Sequence, residues 1–351
     1  MVVLVSGVLL EELPSSTSIL FQAYPGIKTQ ANRLVESECQ VVSTGSLLLV
    51  TQREFAVTSP HDSSVQVLGT DNIIHHVALI IRHVGSGVTL LAQVDRYTEE
   101  DLTCMLAKIM TLIEPGFDDR FEIQLVGGFS DSRLVSESII LNTLGVLVCS
   151  QERFELTGLC VGEAFTVFRG TMPFPALRGV AINVKTGIVF PASFSHRGPD
   201  MDLRLARTLT GGEGVGMLDI YSPEREELRI GPFSYLPMRS VDIWLGQSDD
   251  FILQSLTPCP EVVTDREGFV RQVRDTLRIV KSHPYPSVTL FQSNSPRSYR
   301  RDENSGEWIL KYQNEWFRGS SGVKPEAFQF NFYVKQEHFN NSWQLGHAAY
   351  Y

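Results

Sequence analysis

The sequence predicts an α+β protein with a mostly antiparallel β-sheet or sandwich core flanked by helices. Short runs of β-branched and apolar residues, typical of strands, occur along much of the chain. Between them, several segments have the apolar spacing of an amphipathic helix. Because the two kinds of segment do not alternate in the regular order of a parallel βαβ fold, we expect antiparallel pairing to dominate.

The central predicted feature is a hairpin within Gly69–Tyr97. Ile73–His83 forms the first predicted strand, a Gly-Ser-Gly turn follows, and Val88–Val94 returns. His75 and His76 stand at the start of the first strand, so their side chains are predicted to point to opposite faces. Only one of them can then face a given cleft.

The other elements follow from the same patterns. Strands are predicted at Val2–Val5, Ser46–Val57, Ser64–Leu68, Phe121–Val126, Phe154–Val161, Gly179–Val184 and Leu228–Ile230. Helices are predicted at Ala31–Glu38, Thr98–Ile113, Ser130–Leu144, Met201–Leu209 and Asp265–Ser282, with a short one near Trp244. Thr98 is a candidate N-cap, and Thr264 with Glu267 has the spacing of a capping box. Residues 1–310 are expected to form one α+β domain, with 311–351 as an aromatic and polar tail.

Composition bounds the function. A net charge of −10 argues against general affinity for nucleic acid or anionic membranes. Five cysteines without CxxC spacing suit a reducing compartment, and no apolar run is long enough for a membrane span. We therefore expect a cytoplasmic or nuclear protein. Cys104, Cys149 and Cys160 are predicted to be buried, which leaves Cys39 and Cys259 as candidate reactive thiols.

General catalytic motifs are weak. Gly127-Gly128 lies between a predicted strand and helix, yet it fits neither phosphate-loop pattern, so a close-packed turn is the better interpretation. The GxSxG motif of hydrolases and the HExxH zinc motif are both absent. No metal site is predicted, because strand geometry separates His75 from His76.

Several longer blocks occur in a characteristic order. They are QREFAVTSP (Gln52–Pro60), LGTDN (Leu68–Asn72), RHVGSG (Arg82–Gly87), LVGGFSDSR (Leu125–Arg133), INVKTG (Ile182–Gly187), ASFSHRGP (Ala192–Pro199), LRLARTLTGG (Leu203–Gly212), LRIGPFSY (Leu228–Tyr235), VDIWL (Val241–Leu245) and KSHPYPSVTLF (Lys281–Phe291). Through these blocks the chain resembles the protein N-terminal asparagine amidohydrolase family, from its N-terminus to about Trp308.

The resemblance implies a side-chain amidase that converts an N-terminal Asn of a protein to Asp. That reaction feeds the branch of ubiquitin-linked degradation that reads N-terminal residues. The implied partners are proteins or peptides that begin with Asn, and no cofactor is implied. The chemistry needs a nucleophile, donors for the oxyanion, an acid for departing ammonia and an acceptor for the α-amine.

The chain departs from the family at the implied catalytic positions. The family carries a Thr-Thr-Cys run with Cys as nucleophile, and ungapped alignment puts His76 at that Cys. The family's probable base is a His, and Gln93 stands there, two residues before Asp95. No cysteine lies within 25 residues of His76. Thr58 and Ser59 match the family and, with Asp95, are candidate substrate-binding residues, although Thr58-Ser59-Pro60 also suits a simple turn.

Two functions follow from this departure. One is an N-terminal Asn amidohydrolase that uses His76 as a base for water, or a distant thiol such as Cys39. The other is a catalytically silent family member that binds protein N-termini or acts as a regulator. In the second case one histidine of the pair packs in the core and the other fills the vacated cleft.

Overall fold

The computed structural model describes residues 2–10, 12–96, 98–114, 116, 120–210, 216–257 and 259–311. Its strands are β1 (Val2–Val5), β2 (Val8–Leu9), β3 (Gln40–Val42), β4 (Leu47–Val50), β5 (Glu54–Thr58), β6 (Val67–Asp71), β7 (Val77–His83), β8 (Thr89–Val94), β9 (Phe121–Phe129), β10 (Arg153–Gly162), β11 (Thr166–Arg169), β12 (Met172–Pro175), β13 (Gly179–Asn183), β14 (Val189–Phe194), β15 (Leu218–Asp219), β16 (Tyr221–Ser222), β17 (Glu227–Ile230), β18 (Arg297–Arg301) and β19 (Trp308–Leu310). Its α-helices are α1 (Thr17–Ala23), α2 (Pro25–Glu36), α3 (Glu99–Met110), α4 (Val135–Cys149), α5 (Met201–Leu209), α6 (Val241–Leu245), α7 (Asp249–Leu256), α8 (Arg266–Ser282) and α9 (Pro286–Thr289). Apart from Lys311, the predicted tail lies outside the described residues.

Two sheets build the centre of the molecule. The larger has the order β15-β5-β8-β7-β9-β10-β1-β2, and the smaller has the order β3-β14-β13-β6-β4. Strands β4 and β6 contact β8, so the smaller sheet lies against the larger, which also contacts helices α3 and α4. Antiparallel pairings outnumber parallel ones among the described strands, and the predicted α+β class is confirmed. In the described part of the chain, no helix combines the length and apolarity needed to cross a membrane.

The central hairpin is present, but its first strand is shorter than predicted. It begins at Val77, and residues 73–76 form a turn instead. The main chain of β9 explains this: the Gly128 N–H donates to the Ile73 carbonyl at 3.1 Å, and the Phe129 N–H donates to the Ile74 carbonyl at 2.9 Å. Because this turn is not a strand, the predicted alternation of the two histidines does not apply.

Two glycines allow that close approach. Gly127 and Gly128 lie inside β9 rather than in a turn after it, with φ values of +118° and +70°. A Cβ on Gly127 would lie 2.5 Å from the carbonyl oxygen of His76. The prediction of close packing was therefore right in substance, and the close neighbour is the turn that carries the two histidines.

Helix starts follow their capping groups. Thr98 caps α3 as predicted, through a reciprocal capping box with Asp101. Helix α4 begins at Val135, later than predicted, because the Asp131 carboxylate accepts the first free N–H groups. The cap of α8 is Asp265, which accepts the Gly268 N–H at 2.9 Å, so the predicted Thr264 cap was wrong.

Gly127→Ala tests the approach between β9 and the histidine turn. The added Cβ meets main chain, and the residue's φ is one that side-chain-bearing residues rarely adopt. We expect the free energy of unfolding to fall by about 2 kcal/mol or more, measured from the urea midpoint. Gly145→Ala in α4 is the control, because its Cβ would make an ordinary 3.5 Å contact with Leu13. A wild-type midpoint for Gly127→Ala would contradict the assigned role.

Candidate active site

The centre of the candidate site is the imidazole of His76, which is 8% exposed. Its Nδ1 lies 3.5 Å from Gln93 Nε2, and that same amide nitrogen donates to the Asp71 carbonyl at 3.0 Å. A carbonyl can only accept, so the amide group of Gln93 is oriented with its N–H atoms toward both neighbours. Because an amide nitrogen only donates, this contact favours the His76 tautomer with Nδ1 as acceptor and the ring hydrogen on Nε2.

Asp95 adds a buried carboxylate beside this pair. Its side chain is held by Arg53 Nε at 2.8 Å and by Gln52 Nε2 at 2.7 Å. Burial alone would raise the pKa of Asp95, but the charges of His76 and Arg53 and the hydrogen bonds from Arg53 and Gln52 bring it below its ordinary value. Asp95 is thus an anion near neutral pH.

Burial lowers the pKa of His76 to about 4, and the charge of Asp95 only partly opposes the shift. His75 and Arg53 lower the pKa further, by like-charge repulsion. The imidazole is therefore neutral at pH 7. A neutral ring can accept a proton, but here its Nδ1 lone pair faces an amide N–H.

Thr58 is not brought to this centre. It pairs with Thr89, four residues from Gln93 along β8, which corresponds to roughly 13 Å. Its hydroxyl donates to Asp62 at 2.6 Å and is fully buried. Ser59 follows β5 at the same end of the strand. The strand register thus places Thr58 and Ser59 away from the histidine. Their substrate-binding role stays a prediction without support from this placement.

His75 has separate partners. Its Nδ1 lies 3.3 Å from Ser136 Oγ and 3.8 Å from Asp131 Oδ2, at the start of α4. Burial would raise the pKa of Asp131, but the bonds from His75 and from the helix start hold it far below its ordinary value. His75 Nε2 is buried and has no hydrogen-bond partner among the described residues. The two histidines thus do face different surroundings, although the turn and not a strand pleat separates them.

An ion pair that the sequence did not predict lies next to Arg53, the residue that holds Asp95. Arg204, on α5, donates to Glu54 through Nη2 at 2.5 Å and through Nε at 3.0 Å, and both residues are 2% exposed. Burial would raise the pKa of Glu54, but the Arg204 charge and the hydrogen bonds from Arg204 and Thr51 lower it. An arginine on the apolar stripe of a predicted helix was the available signal.

A second ion pair involves Asp71, whose main-chain carbonyl accepts from Gln93. Arg197 Nη2 lies 2.7 Å from Asp71 Oδ2, and the two side chains are 45% and 19% exposed. Asp71 ends β6, and Arg197 lies in the segment after β14. Burial raises the pKa of Asp71, while Arg197 and Arg204 oppose the rise. Sequence spacing could not bring these residues together, because they belong to separate elements.

The thiols lie elsewhere. The cysteines divide by exposure into an exposed group (Cys39, Cys104 and Cys149), the intermediate Cys259 and the buried Cys160. The predicted burial was correct for Cys160 and wrong for Cys104 and Cys149, which lie on the solvent sides of their helices. Burial raises the pKa of Cys160 to about 12 and that of Cys259 to about 11. Over the described ranges, no group of three or more His, Cys, Asp or Glu side chains could hold a metal ion.

The depressed pKa of His76 predicts a pH-dependent stability. The unfolded state binds a proton near the ordinary pKa of 6.5, and the folded state binds it only near 4. The free energy of unfolding should therefore decrease as pH falls, by about 2 kcal/mol between pH 7 and pH 5. His76→Gln should remove this part of the slope, measured by urea unfolding at each pH.

The control for that measurement is His61→Gln, at an exposed position. The titration of Asp95 does not affect the comparison between pH 7 and pH 5. Folding lowers the pKa of Asp95, so its contribution to stability is lost only as the pH falls below its ordinary value near 4. An unchanged slope in His76→Gln between pH 7 and pH 5 would show that His76 titrates alike in both states.

Comparison with known proteins places the chain in a family. The family model for protein N-terminal asparagine amidohydrolase matches residues 37–310. Proteins named protein N-terminal asparagine amidohydrolase from Homo sapiens and Sus scrofa are each 38% identical over 297 residues, which cover 84% of this chain and 94% of each relative. The protein of that name from Arabidopsis thaliana is 26% identical and covers 78% of this chain. The chain belongs to the protein N-terminal asparagine amidohydrolase family.

Proposed function

We propose that this chain recognises proteins that begin with asparagine and binds their N-termini without the thiolate-based hydrolysis that the family resemblance implies. The observation that carries the proposal is the contact between His76 Nδ1 and the amide nitrogen of Gln93. It sets an amide N–H, at 3.5 Å, toward the lone pair that a base would need, and an amide cannot take up the proton afterwards. The pair suits a fixed hydrogen-bonding wall better than a proton relay.

Energetic reasoning supports the same conclusion. A primary amide has a poor leaving group, so its hydrolysis needs a strong nucleophile and an acid for ammonia. The resemblance implies that His76 and Gln93 replace both of these groups. Loss of the nucleophile alone reduces kcat by on the order of 10⁶ in a well-studied serine protease, where binding and the oxyanion site supply the remainder. Binding can thus persist where turnover does not.

A second candidate function is deamidation by direct attack of water, with His76 as general base. The observation that favours it is that the neutral His76 ring lies close enough to the Asp95 anion for their charges to interact when the ring is protonated. A carboxylate near an imidazole stabilises the imidazolium that forms when the base takes a proton. The tautomer would first have to change, because Nε2 carries the hydrogen in the present contact. The product would be an N-terminal Asp, which would feed N-terminal-residue-dependent degradation in the cytoplasm or nucleus.

The test measures binding and turnover on the same peptides. Short peptides that begin with Asn or Gln, or that carry Asn internally, are titrated by calorimetry and then assayed for ammonia release and a mass change of the peptide. We expect the wild type to bind the Asn-first peptide and to release no ammonia above the uncatalysed rate. Ammonia release that His76→Ala abolishes would overturn the silent function in favour of the second candidate.

A variant that restores the cysteine and the histidine implied by the family resemblance gives a second test. We expect His76→Cys combined with Gln93→His to gain deamidation of the Asn-first peptide, and each single variant to gain less, because the thiol and the imidazole act as a unit. The matched control places a cysteine on the opposite side of the turn, in His75→Cys with Gln93→His. Equal activity in the control would show that position 76 is not the nucleophile's position.

The match to the family model also bears on the domain organisation. We propose that residues 1–310 carry the recognition function as one domain and that residues 311–351 are an appended tail. The family model supports this division, because its match ends at residue 310.

A further inference from the structure

The carboxylates of Glu54, Asp95 and Asp71, described above with the candidate site, differ in their partners. Glu54 is 2% exposed and receives hydrogen bonds from Arg204. Asp95 is 6% exposed and receives bonds from Arg53, from Gln52 and from the main chain. Both are enclosed and fully engaged, so a ligand could reach neither without breaking a buried pair.

Asp71 is different. Its ion pair is with Arg197, whose side chain is 45% exposed and lies in the segment after β14 rather than in a helix or strand. An arginine so placed can leave the carboxylate for water, and the partly buried Asp71 anion then needs another cation in its place. Of the three carboxylates, Asp71 is the one whose cation can be exchanged.

The position of Asp71 fits one end of an N-terminal asparagine. Its carbonyl accepts from Gln93 Nε2, and that nitrogen lies 3.5 Å from His76 Nδ1. In an N-terminal Asn, three bonds separate the α-nitrogen from the carboxamide carbon. With a carboxamide beside His76 and Gln93, the α-ammonium group lies three bonds away, and the residue that Gln93 contacts, Asp71, carries a partly exposed carboxylate.

We propose that the Asp71 carboxylate is the acceptor for the substrate α-ammonium group, and that Arg197 occupies this acceptor until the substrate displaces it. This assignment rests on the proposed function. The exchange conserves charge, since one cation replaces another at a partly buried anion. An acetylated N-terminus or an internal asparagine offers no cation, so neither displaces Arg197. The pair therefore acts as a selectivity filter for free N-termini.

Calorimetric titration of the full chain tests the assignment with an Asn-first peptide and its N-acetylated form. We expect the wild type to bind the free peptide at least tenfold more tightly than the acetylated one. Asp71→Asn should weaken binding of the free peptide by tenfold or more and should remove its preference over the acetylated peptide. Arg197→Gln should increase affinity for the free peptide and leave affinity for the acetylated peptide unchanged, because it removes the competing cation.

The pair of Arg297 and Asp200 supplies matched controls, since it has a 2.6 Å separation and similar partial exposure. Arg297→Gln and Asp200→Asn should leave both affinities unchanged. Wild-type affinity in Asp71→Asn overturns the assignment and leaves the proposed function standing. An equal loss of affinity in Arg197→Gln also overturns it, because the pair would then be purely structural.

The remaining outcomes are equally decisive. A wild type that binds neither peptide removes the proposed function and this assignment together. If Asp71→Asn fails to fold, judged by its thermal transition, the Arg197→Gln result stands alone. A gain in affinity for the free peptide alone supports the assignment, and an affinity that changes equally for both peptides, or for neither, contradicts it.

Discussion

The buried ion pair at the start of β5 constrains the rest of the site. Arg204 and Glu54 are both nearly inaccessible, and removal of either partner would leave an uncompensated charge in the interior. Arg204 also donates to the Leu49 carbonyl at 2.7 Å, so one guanidinium ties α5 to β4 and β5. Strand β5, which pairs with the β8 strand that carries Gln93, is thereby held against a helix that lies more than 100 residues later in the chain.

The buried charges also constrain the surroundings of His76. Arg53 adjoins Glu54 in sequence, and its guanidinium holds the Asp95 carboxylate. With Asp95 fixed as an anion and Gln93 tied to the Asp71 carbonyl, the environment of His76 is defined on two sides. The imidazole is then a buried neutral group among satisfied partners, which is a rigid arrangement rather than a labile one.

Local patterns predicted most elements, and their errors have local physical causes. Met201–Leu209 matches the predicted helix because its apolar spacing and its neighbours agree. The first hairpin strand was extended too far because Ile73 and Ile74 continue a β-like pattern, while the main chain of β9 claims their carbonyls. Thr264 lost the cap of α8 to Asp265, since both offer an oxygen and only one lies at the right distance.

The site was predictable only where a single hairpin built it. His76, Gln93 and Asp95 meet because β7 and β8 pair in the register that a short turn imposes. Thr58 fell outside because its distance depends on the register between β5 and β8, which spacing along the chain does not reveal. Asp71, Arg197, Glu54 and Arg204 meet through tertiary packing alone, so no local pattern could have joined them.

The two departures that the family resemblance implies, at positions 76 and 93, are chemically matched. A thiolate and an imidazolium would place opposite charges at positions 76 and 93, whereas the imidazole and amide found here are both neutral. A neutral pair can be buried without a compensating charge, provided its hydrogen bonds are made. Under the proposed function, the paired change that the resemblance implies keeps the hydrogen-bonding surface of the site without a group that transfers a proton.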